Sequence, residues 1–187
     1  QIDIRNRIQQ ACTTAKALYP FFKKATCSIA WKIQVYNATI KAQLMYGLET
    51  SALSTVQLQQ LDTFQQRGLR AILNIEPAWI SRVSNASVMA QATEALGKEI
   101  RLFSTEIRAK KVLLLGHILR TTQYEKFEPM RMATFSNLDD DIFGNSVQLR
   151  NDKRRTGRPR AEWTSTAMKD AWHMTHTDEF QPTNPVH

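Results

Sequence analysis

Long apolar runs and paired cysteines are both scarce in this sequence of 187 residues. The longest aliphatic run, Val112–Leu115, is far shorter than the ~20 residues that a membrane-spanning helix needs, so we expect no membrane partner. Cys12 and Cys27 are the only cysteines, which favours free thiols in a reducing compartment over a disulfide between them. No signal peptide is recognisable, and we expect an intracellular protein of the nucleus and cytoplasm.

Motifs of enzyme chemistry are also lacking. The sequence has no hydrolase nucleophile elbow and no glycine-rich phosphate loop. Adjacent carboxylates such as Asp139–Asp141 can hold Mg²⁺, but here no predicted strand precedes them to present them rigidly. His173 and His176 form a pair near the C-terminus that is more typical of chance than of a metal site. We therefore predict no catalytic residue, metal site or cofactor in this chain.

Apolar residues at helical spacing dominate the first 120 residues. One stripe runs from Ile4 to Phe22 in steps of three and four residues, and a second runs from Ile29 to Leu44. Sustained alternation with period two, which would indicate strands, does not occur. The pattern predicts an all-α fold with about five helices in an irregular bundle.

Several helix boundaries can be placed from single residues. Pro20 should kink or end the first helix, and Gly47 should end the second. Ser54 and Gln57 form a capping box that begins the third helix. The remaining helices are predicted from Ser84 or Asn85 to Leu96, stopped by Gly97, and over residues 98–120.

The character of the sequence changes after Arg120. Residues 121–160 show little periodicity and are predicted to be a long loop or mobile linker that contains a basic segment. A short helix is expected at 161–173, followed by a frayed C-terminus. The predicted organisation is a helical domain over 1–120, a linker over 121–160 and a terminal segment over 161–187.

Positive charge is concentrated in one short segment. The chain carries 25 Lys and Arg against 17 Asp and Glu, and its sequence pI is about 9.7. Five of the eight net positive charges lie in Arg150–Arg160, where Gly157-Arg158-Pro159 resembles an AT-hook that enters an A·T-rich minor groove. We predict nucleic-acid contacts there, while a solvated loop or a nuclear import signal is the simpler alternative. The candidate residues are Arg154, Arg155, Arg158 and Arg160.

A second group of cations lies on the predicted helices. Arg67 and Arg70 are three residues apart, so they should project from one side of the third helix. Lys110 and Lys111 lie together on the fifth helix, beside Arg108. We predict phosphate contacts for Arg67, Arg70, Lys110 and Lys111, with an ordinary solvated helix face as the alternative.

Five segments of the sequence, in the order in which they occur along the chain, resemble segments of non-LTR (LINE-type) retrotransposon reverse transcriptases. They cover nearly the whole chain, and their order and spacing are more specific than any one of them. Ser51, Gly68 and Leu114 depart from the family pattern, where Trp, Cys and Trp are common. The segments are Met45–Thr50 ("LLYGxET"), Arg67–Leu73 ("RxLRxIL"), Val83–Val88 ("xSNxxV"), Leu115–Arg120 ("LGHILR") and Arg154–Trp163 ("RRxGRPRxxW").

The resemblance implies a place within a larger polymerase. These segments correspond to the thumb and the region beyond it, which hold the template–primer duplex after it leaves the active site. The catalytic aspartates and their Mg²⁺ belong to the palm, which this chain lacks, so whether to class the chain as an enzyme stays open and no activity is expected from it alone. The implied partners are RNA, DNA or an RNA–DNA hybrid, together with the palm, and without the palm an apolar face on the first or second helix could be exposed.

Two other functions fit the same residues. A stand-alone nucleic-acid-binding module would use the helices as a scaffold for the AT-hook-like segment, and would prefer A·T-rich DNA. An inactive remnant of an element would show no affinity for nucleic acid at physiological salt.

Overall fold

The computed structural model describes residues 4–121 and 163–176, and all the regular structure in these ranges is helical. The all-α prediction is therefore confirmed, with more helices than expected because short helical turns join the long ones. The helices are α1 (Ile4–Lys24), α2 (Ile29–Tyr36), α3 (Ala42–Met45), α4 (Thr55–Leu73), α5 (Ala78–Ser81), α6 (Asn85–Leu96), α7 (Phe103–Thr121) and α8 (Trp163–His176), with a π-helical turn at Asn37–Lys41 and a 3-10 turn at Leu48–Thr50.

Three of the predicted helix ends are confirmed by their caps. The Ser54 hydroxyl accepts from the Gln57 N–H at 3.3 Å, and the Gln57 side chain accepts from the Ser54 N–H at 2.8 Å. Ser84 caps α6 in the same way by accepting from the Ser87 N–H, and Gly97 ends that helix in the left-handed region, at φ 69°. Such caps depend on adjacent residues only, which is why the sequence predicts them.

We expected Pro20 either to kink or to end the first helix, and it does not end it. The helix continues to Lys24 with Pro20 inside it. The proline has no N–H to donate, so this helix of 21 residues lacks one intrahelical hydrogen bond there. The carbonyl of Phe22 then accepts a hydrogen bond from the buried Lys32 ammonium group at 2.7 Å. A tertiary hydrogen bond thus satisfies one of the carbonyl groups at the C-terminal end of α1.

The fifth predicted helix begins later than expected, at Phe103. Two side chains of α4 accept hydrogen bonds from its first turn: Gln65 from the Phe103 N–H at 2.9 Å and Asp62 from the Ser104 N–H at 2.8 Å. Gln65 also donates to the Arg101 carbonyl at 2.8 Å. The residues before Phe103 are therefore held in a non-helical conformation by another element.

The chain divides into two compact units, residues 1–107 and 108–187, and the boundary falls inside α7. In the first unit, α1, α2, α4 and α6 pack on one apolar core. In the second, Leu115 and Ile118 of α7 pack with Ala167 of α8, beside Trp163. The predicted linker over 121–160 lies outside the described residues except for Thr121. Within the described residues, no helix is both long and apolar enough to cross a membrane.

Candidate nucleic-acid interface

The two arginines predicted on one side of α4 lie in different environments. Arg67 is exposed at the helix surface, whereas Arg70 is 7% exposed. The three-residue spacing does place both along the same recess, but only Arg67 presents its charge to solvent. The periodicity therefore predicted the side of the helix and not the depth of each side chain.

The guanidinium of Arg70 is occupied by acceptors of the protein. It donates to the carbonyls of Glu76 at 3.1 Å and Val83 at 2.7 Å, and to the side-chain oxygen of Asn85 at 2.9 Å. Arg70 thereby holds the segment between α4 and α6 against α4. This geometry favours a role in positioning that segment over a direct contact with phosphate.

The recess beside Arg67 has a volume of about 820 Å³. On the α1 side it is lined by Tyr19 and Lys23, with the Lys23 ammonium 5.8 Å from the centre of the Tyr19 ring. On the opposite side it is lined by Trp79 of α5, which is 77% exposed. Lys23 also donates a hydrogen bond to the side chain of Asn74. Cations and exposed aromatic rings thus border one surface.

The cations of α7 form a separate group in the second unit. Lys110 is exposed, but Lys111 is buried and its ammonium group lies 3.3 Å from a carboxylate oxygen of Asp170 on α8. Arg108 approaches the same carboxylate at 3.7 Å. Lys111 therefore pairs with α8, and Lys110 is the predicted contact in this group that faces solvent.

The basic segment predicted to bind nucleic acid lies outside the described residues, as do the three adjacent aspartates. Arg154, Arg155, Arg158 and Arg160 therefore remain predictions from the sequence. In the described part of the chain, no three His, Cys, Asp or Glu side chains are grouped so that they could hold a metal ion.

The sequence did not point to the aromatic members of this surface. Tyr19 and Lys23 are four residues apart on α1, a spacing that places them on one face, but nothing local links them to Arg67. Trp79 lies two residues after Pro77 in a segment whose position depends on Arg70. A Trp two residues after a proline, in a short segment between two predicted helices, is the one sequence signal that could have indicated it.

No family model matches the chain, and no curated protein or solved structure is significantly similar to it.

Proposed function

We propose that this chain is the helical region of a non-LTR retrotransposon reverse transcriptase that binds the template–primer duplex and does not itself catalyse. The observation that carries the proposal is the recess where exposed Arg67, Lys23 and Trp79 border one surface. The order of the five sequence segments supports the family. In the parent protein, catalysis would need palm carboxylates and Mg²⁺.

The chemistry of the recess suits a nucleic-acid backbone. Arg67 and Lys23 can neutralise phosphates, which gives affinity without dependence on sequence. Tyr19 and Trp79 offer flat rings on which an unpaired base at the duplex end can stack. Arg70 contributes by holding the segment that carries Trp79.

A stand-alone module is the second candidate, and Gly157-Arg158-Pro159 is the observation that favours it. This module would insert Arg158 into the narrow minor groove of A·T-rich DNA. The helices would then serve as scaffold, and substitutions in the recess would leave binding unchanged.

Binding of three variants of the full chain to an RNA–DNA hybrid and to A·T-rich duplex DNA separates these functions. Arg67→Ala removes the exposed cation of the recess. Lys98→Ala removes one positive charge from an exposed position outside the recess, and so controls for net charge. Arg158→Ala tests the minor-groove contact.

The proposed function requires hybrid binding that Arg67→Ala weakens by roughly fivefold or more, with a much smaller effect of Lys98→Ala. Preference for A·T-rich duplex, lost in Arg158→Ala and unaffected by Arg67→Ala, would favour the module instead. Absence of binding to either ligand at low salt would exclude both and leave an inactive remnant.

A further inference from the structure

A second depression, here called the trough, runs between α1 and α4. It has a volume of about 920 Å³ and is bordered by one face of each helix, from Arg5 to Phe22 on α1 and from Val56 to Ala71 on α4. At 1.5 Å per residue, the α1 side is about 26 Å long. A depression of this length follows the helices and is not a compact cavity.

The floor of the trough is apolar. It includes Ile8 and Ala15 of the predicted α1 stripe and the neighbouring Cys12, all of which are only partly buried although Ile4 and Ala11 of the stripe are fully covered. Phe64 is half-buried on the α4 side. Ile8, Ala15 and Phe64 pack on the core with one side and line the trough with the other, so part of the apolar face of α1 is only partly covered in the first unit.

One polar group beneath this floor is also unsatisfied. The Tyr36 side chain contributes to the trough, and its hydroxyl, which is the group that a Cβ on Gly68 would meet at 2.9 Å, has no hydrogen-bond partner. The hydroxyl is itself covered by the protein, so it belongs to the wall beneath the floor and is not a group that an occupant of the trough would reach.

The rims of the trough carry charge of one sign. Lys16 on the α1 rim and Arg67 on the α4 rim are both exposed, and Arg5 lies at one end. Glutamine and threonine side chains make up most of the remaining polar lining, and neither Asp nor Glu contributes to it in the described part of the chain. A partner that fits this surface has an apolar face between acidic flanks.

We propose that the trough is the docking site for an amphipathic helix of a partner protein, with apolar residues on its inner face and Asp or Glu along both edges. A helix is the occupant because the trough is long and bounded by two helices, the arrangement in which helix-in-groove recognition occurs. The apolar face of the partner covers Ile8, Cys12 and Ala15. Its acidic edges pair with Lys16 and, when the recess holds no nucleic acid, with Arg67, which borders both surfaces.

A synthetic peptide tests this docking. The probe is a helix-forming peptide with Leu on one face and Glu on both flanks, and its counterpart carries Lys in place of Glu. Binding to the full chain is followed by fluorescence anisotropy. Alkylation by iodoacetamide is followed by mass spectrometry, with Cys12 in the trough as reporter and Cys27, also half-buried but outside the trough, as internal reference.

Two variants locate the site. Val56→Glu places a negative charge on the trough rim at a residue that is 61% exposed, so folding should be unaffected. Leu113→Glu makes the same kind of change at a 69% exposed residue outside the trough and is the control. We expect the acidic peptide to bind, to protect Cys12 and not Cys27, and to lose roughly tenfold in affinity with Val56→Glu only.

Three outcomes would overturn the proposal. The first is no binding of the acidic peptide at concentrations in the hundred-micromolar range. The second is equal binding of the lysine peptide, which would remove the argument from charge. The third is protection of Cys12 by a fatty acid such as laurate but not by the acidic peptide, which would make the trough a site for small amphiphiles.

Discussion

Gly68 of α4 packs against the ring of Tyr36 of α2. A Cβ on Gly68 would lie 2.7 Å from a ring carbon of Tyr36 and 2.9 Å from its hydroxyl oxygen. Tyr36 is 2% exposed and cannot move away easily. The glycine costs α4 about 1 kcal/mol of helix propensity relative to alanine, and in return it lets the aromatic ring pack against the helix backbone.

Gly68→Ala should therefore destabilise the protein although alanine is the better helix former. We expect a loss of about 1–3 kcal/mol in the free energy of unfolding, because the new methyl group overlaps a confined ring. Gly116→Ala is the matched control: its Cβ would meet only the flexible end of Arg120, at 3.2 Å, so it should be neutral or stabilising. Urea unfolding of both variants gives the comparison, and equal effects would contradict this account of Gly68.

The buried Tyr36 phenol should make stability fall at alkaline pH. Burial raises the pKa of Tyr36 above its usual range, because the phenolate would lose its hydration. Below about pH 10 the phenol is protonated in both states; above it the unfolded chain loses the proton first, so stability falls. Tyr36→Phe should reduce this alkaline loss, measured by urea unfolding from pH 8 to 11. Tyr46→Phe, at an 81% exposed position, should leave it unchanged.

At the scale of elements, Arg70 acts as an internal anchor between α4 and α6. The three acceptors on the Arg70 guanidinium span residues 76–85, and the Ile75 N–H also returns to the Arg70 carbonyl at 2.9 Å. A buried guanidinium with several acceptors can replace the apolar packing that a short segment such as α5 lacks. The position of Trp79 follows from this anchor.

Arg70→Ala should therefore loosen one segment and lower the free energy of unfolding by about 1–3 kcal/mol, since it removes three part-buried hydrogen bonds to a charged group. In this variant, hydrogen exchange should show a larger loss of protection in residues 75–85 than in α1. Arg67→Ala, at an exposed position on the same helix, should change stability little while weakening hybrid binding. Unchanged exchange in 75–85 would contradict the anchor.

The pairing of α7 with α8 depends on one carboxylate. Lys111 is 2% exposed, and Asp170 is its acceptor at 3.3 Å. Asp170→Asn should cost about 1–3 kcal/mol in the second unit, because the buried ammonium loses its counter-charge. Arg108→Gln should cost less than 1 kcal/mol, since the Arg108 side chain is 47% exposed and 3.7 Å away. Hydrogen exchange in α8, compared between the two variants, would show the difference.

At the scale of the whole molecule, positive charge is divided between the helices and the basic segment Arg150–Arg160. Deleting everything from Arg150 onward would also remove Asp170, and would leave Lys111 buried without its acceptor. The contribution of the basic segment is therefore better measured by substitution than by truncation.

Replacing Arg154, Arg155, Arg158 and Arg160 with Gln should flatten the salt dependence of binding. If each of the four neutralises one phosphate, the slope of log K against log salt should become less steep by about 3.6. The proposed function requires residual hybrid binding in this variant, through Arg67 and the recess. A slope equal to that of the unsubstituted chain would remove the basic segment from the interface.

The sequence by itself determined the all-α class, the main helices and their caps, because these depend on residues within a turn or two of each other. The capping box at Ser54 and the stop at Gly97 are examples. Only the tertiary structure decided which cations stay in solvent and where α7 begins, since Arg70, Lys111 and Gln65 each meet partners distant in sequence or on another element. Periodicity assigns a residue to one side of a helix; the neighbouring element decides whether that side is covered.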